Sequence, residues 1–251
     1  MRVLFIGDLY GNPGIEIFEN KITELKKQYR PDILIVNGEN IANGRGITKE
    51  IYLKLMKLSV NAITMGNWTF GNKDIFNFID DSNIIRPANY LSAPGKGFKV
   101  ININGKRILI INLLGRIFMD PNLPSPFLVV DEIIQANNAD YIFIDMHAEA
   151  SSEKIALGHY LDGRVDAVLG THTHVQTNDD RLLPNGTLYI TDVGMTGPLD
   201  GIIGVDKEIA ITRFKTGYAR ANLVQNGKKQ LNGVYLDLDK KTIEKIHLEM
   251  E

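Results

Sequence analysis

The feature that most narrows what this chain can become is an alternation. Short apolar, β-branched runs are each followed by a turn and then by a stretch with helical spacing. Arg2 to Ile6 is β-rich and stops at Gly7-Asp8, with a glycine- and proline-containing turn at Gly11-Asn12-Pro13-Gly14. The spacing predicts a helix over 15–29 with Ile15, Phe18, Ile22 and Leu25 on one face. Asp32 to Val36 is the next strand, and Thr48 is the expected N-cap of a helix carrying Ile51, Leu55 and Leu58. Ala62 to Met65 repeats the pattern and precedes a helix expected near Asp74 to Asp80.

A hairpin then interrupts the series. Lys99 to Asn102 and Arg107 to Asn112 read as strands joined by Asn104-Gly105, so a mixed sheet is expected. Leu113 to Pro126 contains three prolines and reads as a long functional loop. A helix over 127–136, the strand Tyr141 to Asp145, a helix capped by Ser151 or Ser152 and ending near Tyr160, and the strand Val165 to Leu169 follow. Leu188 to Thr191, a helix over 207–214, and strands at 232–238 and 242–250 close the chain. His247 alternates onto the polar face of the last strand and is expected to be exposed and functionally silent. With no linker, repeat or low-complexity segment, one domain over 1–251 is the simpler reading.

The strand ends carry the chemistry. Asp8, Glu39, Asn40, Asn67, His147, His172 and His174 each lie at or just past the C-terminal end of an apolar strand, the edge at which open α/β sheets bind ligands. An extended Gly170-Thr171-His172-Thr173-His174 would put both imidazoles on one face. Each residue has a plainer use: Asp8 as a helix cap, Asn40 and Asn67 in turns, Glu39 paired with Arg45, the histidines in a polar loop. Five strands converging on metal-donor side chains favour a metal site over that set of coincidences. Seven donors exceed one four-coordinate ion and suit two ions sharing a carboxylate, with Glu39 the best bridge. Imidazole, carboxylate and amide donors are compatible with Fe, Mn, Zn or Co.

Composition removes other chemistries. There are no cysteines among 251 residues, so disulfides, thiolate nucleophiles and Cys-based metal sites are excluded. A formal net charge of −2 argues against a general nucleic-acid or membrane-surface binder, and no apolar run suits a signal peptide or a membrane span, so a cytoplasmic protein is expected. Homo-oligomerisation stays open.

Read together, Gly7-Asp8 with Gly11 to Gly14, Asn37-Gly38-Glu39-Asn40, Thr64-Met65-Gly66-Asn67, Arg86-Pro87-Ala88-Asn89, His147-Ala148-Glu149, Gly170 to Thr177 and Ile190 to Pro198 resemble the YmdB-like phosphodiesterases of the calcineurin-like metallophosphoesterase superfamily, in order and over nearly the whole chain. The resemblance implies a four-layer αββα sandwich with two mixed sheets. It also implies that Asp8, Asn40 and His174 bind one ion, Asn67, His147 and His172 the other, and Glu39 both, in an enzyme acting on 3′,5′- or 2′,3′-cyclic nucleotides. One position departs: where the family continues Gly66-Asn67 with a proton-donating histidine, this chain has Trp68, its only tryptophan. Indole N–H donates hydrogen bonds but is no acid near neutral pH.

The expected function is therefore a dinuclear metal phosphodiesterase, with a metal-bridging hydroxide attacking phosphorus and a turnover weakened by Trp68. Its partner is a small-molecule phosphodiester. Asn12, Gly194 and Thr196 are candidate anion-binding backbone positions, and Arg45 a candidate phosphate contact. The competing class is a metal-binding signalling or interaction protein whose catalysis has faded. A metal-free nucleotide fold built on Gly11 to Gly14 is disfavoured, because neither G-x-x-x-x-G-K-[ST] nor G-x-G-x-x-G occurs.

Overall fold

The computed structural model describes residues 1–218 and 221–251. In chain order its elements are β1 Arg2–Ile6, α1 Gly11–Tyr29, β2 Ile33–Asn37, α2 Lys49–Lys57, β3 Ala62–Thr64, β4 Ile84–Ile85, β5 Phe98–Ile103, β6 Lys106–Leu114, α3 Pro126–Ala136, β7 Tyr141–His147, α4 Ser151–Tyr160, β8 Ala167–Thr171, β9 Arg181–Leu182, β10 Leu188–Ile190, β11 Gly197–Pro198, α5 Lys207–Thr216, β12 Lys229–Asp237 and β13 Thr242–Met250. They form two sheets, with strand orders β11-β12-β1-β2-β3-β4 (β13 on β12) and β5-β6-β7-β8-β10-β9. In the first, β1 to β4 run parallel and β12 runs antiparallel to β1. In the second, β6, β7, β8 and β10 run parallel, flanked by antiparallel β5 and β9. Both sheets are mixed.

Alternation within each strand explains the layering. Val3, Phe5, Ile33 and Ile35 point inward to meet Ile108, Ile110, Phe143 and Leu169 of the other sheet. Phe5 and Phe143 make an edge-to-face pair with centroids 5.2 Å apart. The outward set, Leu4, Ile6, Leu34 and Val36, receives Ile17, Phe18, Ile22 and Leu25 of α1 and Leu55 of α2. On the far side Leu109, Ile111, Ile144 and Val168 pack with Val130 and Ile133 of α3 and Leu157 of α4. The order is helix, sheet, sheet, helix, the αββα sandwich. The parallel strands of both sheets therefore end at one shared rim, and the loops there meet across the sandwich.

Several local expectations are met. Thr48 caps α2 by accepting from Ile51 N at 3.3 Å, and Asn104-Gly105 has φ of 52° and 79°, the left-handed pair a two-residue hairpin turn needs. Others need correction. The turn expected at Gly11 to Gly14 is the first turn of α1. The helix near Asp74 is one 3₁₀ segment, Lys73–Asn77. Neither Ser151 nor Ser152 caps α4; Ala150 holds the cap position without a side-chain bond. The expected exposure of His247 on the last strand is met: it is exposed on β13, with its ring bonded to Asn232 Oδ1.

Candidate metal centre

Local chemistry first fixes the end of β2. Asn37 is buried, and its Oδ1 accepts from Glu39 N at 3.1 Å while its Nδ2 donates to Asp145 Oδ2 at 3.0 Å and Met65 O at 3.3 Å. One amide side chain thereby ties the ends of β2, β3 and β7 together. The Glu39 carboxylate is then aimed into the rim. Its Oε2 accepts from Trp68 N at 3.0 Å and its Oε1 lies 3.1 Å from His147 Nε2.

Around Glu39 the donors fall into two groups. His147 Nε2 lies 3.2 Å from Asn67 Oδ1 and 3.0 Å from His172 Nδ1. His174 Nε2 lies 3.1 Å from Asn40 Oδ1 and 3.8 Å from Asp8 Oδ2. Ligand bonds of about 2.0–2.2 Å leave donor atoms roughly this far apart around one ion. The expectation that an extended H-x-H directs both imidazoles to one point needs correction. His172 and His174 have φ of 101° and 68°, so the chain turns at each residue and the two rings diverge.

Each histidine is oriented through its outer nitrogen. His147 Nδ1–H donates to Thr171 Oγ1 at 2.8 Å, and that hydroxyl donates onward to Asp145 Oδ1 at 2.7 Å. His174 Nδ1–H donates to Ile203 O at 2.9 Å. His172 pairs through Nε2 with Glu149 Oε2 at 3.1 Å, which leaves Nδ1 facing the cluster. These are the outer partners that fix tautomer and ring angle in metal-binding histidines. The histidine loop is held from behind by a buried ion pair. Lys154 Nζ donates to Asp192 Oδ2 at 2.7 Å and Thr171 O at 2.8 Å, and Asp192 also accepts from Thr173 N and Oγ1 and from Gly194 N.

The residues present fit a cation. Asp8 Oδ1 is buried with no hydrogen-bond partner among the described residues. Burial, reinforced by the charges of Asp192 and Glu39, lifts the Asp8 carboxyl well above the usual carboxylate range. Burial also works to raise Glu39, but His147, the Trp68 N–H and His172 together hold Glu39 below its ordinary value. For His147, burial lowers the pKa, yet Glu39, Asp8 and Asp145 together push it up to about 9. His172 is pushed down to about 3 by burial and by His147. Gly66 completes the cradle: a Cβ there would overlap the His147 ring and the Glu39 carboxylate.

A cavity of about 270 Å³ opens over the cluster, walled by Tyr10, Arg45, Trp68, Glu149 and Asn222. A larger cleft of about 940 Å³, lined by Asn83, Arg86 and residues of β5, contains none of the seven donors. Arg45 does reach the site, with its guanidinium 4.3 Å from the Trp68 ring centroid. Asn12 does not: it is exposed in the first turn of α1 and lines a separate hollow with Glu16, Asp200 and Lys229. Gly194 and Thr196 are also corrected, because the amides of 194–196 bond to Asp192, His174 O and Asp8 O and leave no anion nest. Sequence reasoning overlooked Glu149, Lys154, Thr171 and Asp192. Glu149, Thr171 and Asp192 did carry a signal, since each sits at or just past the end of an apolar strand, whereas Lys154 lies within α4 and carried none.

Comparison with known proteins agrees with this architecture. The family model described as YmdB-like protein matches residues 4–250. A Bacillus subtilis (strain 168) relative named 2′,3′-cyclic-nucleotide 2′-phosphodiesterase is 53% identical over 253 residues, covering 99% of this chain and 96% of that protein. A solved structure of a hypothetical protein from Thermus thermophilus superposes with a TM-score of 0.96 at 40% identity and covers all of both chains. One described as a novel phosphatase from Mycoplasma pneumoniae gives 0.92 at 37% identity, over all of this chain and 93% of the other. With the match running almost end to end and the fold retained in both solved relatives, the chain belongs to the YmdB-like family of metallophosphoesterase enzymes.

Proposed function

We propose that this chain is a two-metal phosphodiesterase that opens the cyclic phosphate of 2′,3′-cyclic nucleotides. The observation that carries the reading is the division of seven donors into two groups about Glu39. Asp8, Asn40 and His174 would hold one ion, Asn67, His147 and His172 the second, and Glu39 would touch both. Fe, Mn, Zn and Co all suit these donors. Two such ions supply Lewis-acid charge for the phosphoryl oxygens and a nucleophile available at neutral pH. The choice of 2′,3′ over 3′,5′ substrates is supported by the activity named for the Bacillus subtilis relative.

The chain's own residues do the rest. His147 carries a proton in the metal-free protein that an ion must displace. Arg45 sits at the cavity wall, where an anionic phosphate gains from its charge. Trp68 contributes through its backbone N–H, which holds Glu39 whatever the side chain is. Its indole supplies no proton to the departing ribose oxygen. No other histidine compensates: His159 is exposed on α4 and His247 lies on β13.

The test is metal quantitation with a panel of cyclic nucleotides, run on the natural chain and on Trp68→His. Turnover of Trp68→His should rise about tenfold at equal metal content, a conservative fraction of what a general acid contributes. Equal turnover would refute this account of position 68. Two bound metals with no hydrolysis of any phosphodiester would favour the second reading, a metal-binding protein whose catalysis Trp68 has silenced. Glu149→Ala should weaken one of the two metals about tenfold in competition with a chelator, the low end for loss of an outer carboxylate because Glu149 is half-exposed. Glu149→Gln, which keeps an acceptor for His172, should recover most of that affinity.

A further inference from the structure

The donor cluster opens on two sides. Besides the cavity that Arg45 lines, with which it has His172 in common, a second cavity of about 290 Å³ shares Asn67 and His172 with the cluster and is otherwise lined by Tyr90, Leu114, Phe118, Met119 and Asp120. Its wall is the proline-containing loop after β6. The base of that loop is pinned: the buried Glu153 carboxylate accepts from Arg116 N at 3.0 Å and Ile117 N at 3.1 Å, and Asn89 Nδ2 donates to Leu114 O at 2.8 Å and Pro124 O at 3.3 Å. The tip is presented to water. Phe118 is 87% exposed and has a φ of 60°, in the left-handed region that bulky side chains rarely adopt. A pinned loop that holds a phenyl ring in solvent beside a reaction centre offers a face for stacking. In the first cavity Arg45 already lies over the Trp68 ring.

Resting on the phosphodiesterase reading, we propose that this second cavity is the base subsite, in which the nucleobase stacks on Phe118 while its phosphate lies over the donor cluster. Asp120 gives the subsite a preference. An ionised carboxylate only accepts, and its Oδ1 is oriented by Asn122 N at 3.0 Å. Guanine turns two adjacent donors, N1–H and the N2 amino group, toward such an acceptor, whereas uracil turns one donor between two carbonyls. The purine also covers more of the phenyl face. Guanosine 2′,3′-cyclic monophosphate is therefore the preferred substrate over its uridine counterpart.

The experiment uses the full manganese-loaded chain with both cyclic nucleotides, together with calorimetric titration of guanosine 3′-monophosphate. Phe118→Ala is expected to raise KM for the guanosine substrate about tenfold while kcat stays within about twofold. It should weaken guanosine 3′-monophosphate by the same factor. Because Phe118 lies in water, its removal strips no core contact. Asp120→Asn should bring the guanosine and uridine KM values together. Unchanged KM and unchanged calorimetric affinity in Phe118→Ala overturn the subsite. If metal-loaded protein hydrolyses neither nucleotide, the phosphodiesterase reading fails, and the calorimetry alone still decides whether Phe118 binds a base.

Discussion

Gly66→Ala is expected to lower turnover by at least about 100-fold, because one added methyl displaces two donors at once. The new Cβ overlaps the imidazole of His147 and the carboxylate of Glu39, and neither can retreat. His147 is held from behind by Thr171 and Asp145, and Glu39 by the backbone N–H of Trp68. Relief must come from rotating the donors out of line or from spreading β3 away from β7. Overpacking of this kind typically costs about 1–3 kcal/mol of stability, so the variant should fold. Metal content measured beside thermal denaturation separates the outcomes. A folded Gly66→Ala protein that retains both metals at full occupancy would show that the glycine is not needed to seat the donors.

The second large effect belongs to Lys154. Both Lys154 and Asp192 are almost wholly buried, so Lys154→Met leaves a carboxylate in the interior without its counter-charge. Removing one partner of a buried pair costs about 3–5 kcal/mol. For a chain of this size that corresponds to a fall in melting temperature of about 10 °C. Combining Lys154→Met with Asp192→Asn should recover part of the loss, since the uncompensated charge is gone, although the single amide oxygen can replace only one of the two carboxylate oxygens that accept from Thr173 N and Gly194 N. The variant should also bind metal less tightly, because the same ammonium holds Thr171 O immediately before the two histidines. A melting temperature within a degree or two of the natural chain's would show that Asp192 is satisfied some other way.

The elements that were legible in advance are those whose side chains announce their periodicity. α1 carries Ile15, Phe18, Ile22 and Leu25 at helical spacing, and all four are buried. The β5–β6 hairpin was marked by Asn104-Gly105 between two apolar runs. β4, β9 and β11 escaped notice because each spans two residues, too few to show an alternation. Asn12 was misread for a related reason: glycine and proline near a helix start look like a turn, yet Pro13 is compatible with a first turn, where its missing N–H has no intrahelical partner.

The candidate site divides along the same line. By itself the sequence determined which donors are available, since chain direction alone carries Asp8, Glu39, Asn40, Asn67, His147, His172 and His174 to strand ends, and the order of motifs determined the family. Tertiary structure decided what those donors face. The contacts that aim them join residues far apart in the chain: His172 N to Asp8 Oδ2 spans 164 residues and Asn37 to Asp145 spans 108. Such bonds leave no local periodicity, because what creates them is the stacking of two sheets with their strand ends at a common rim. The divergence of His172 from His174, the pinning by Glu149 and Lys154, and the second cavity beneath Phe118 all follow from that stacking, and from backbone angles that only a packed interior can hold in place.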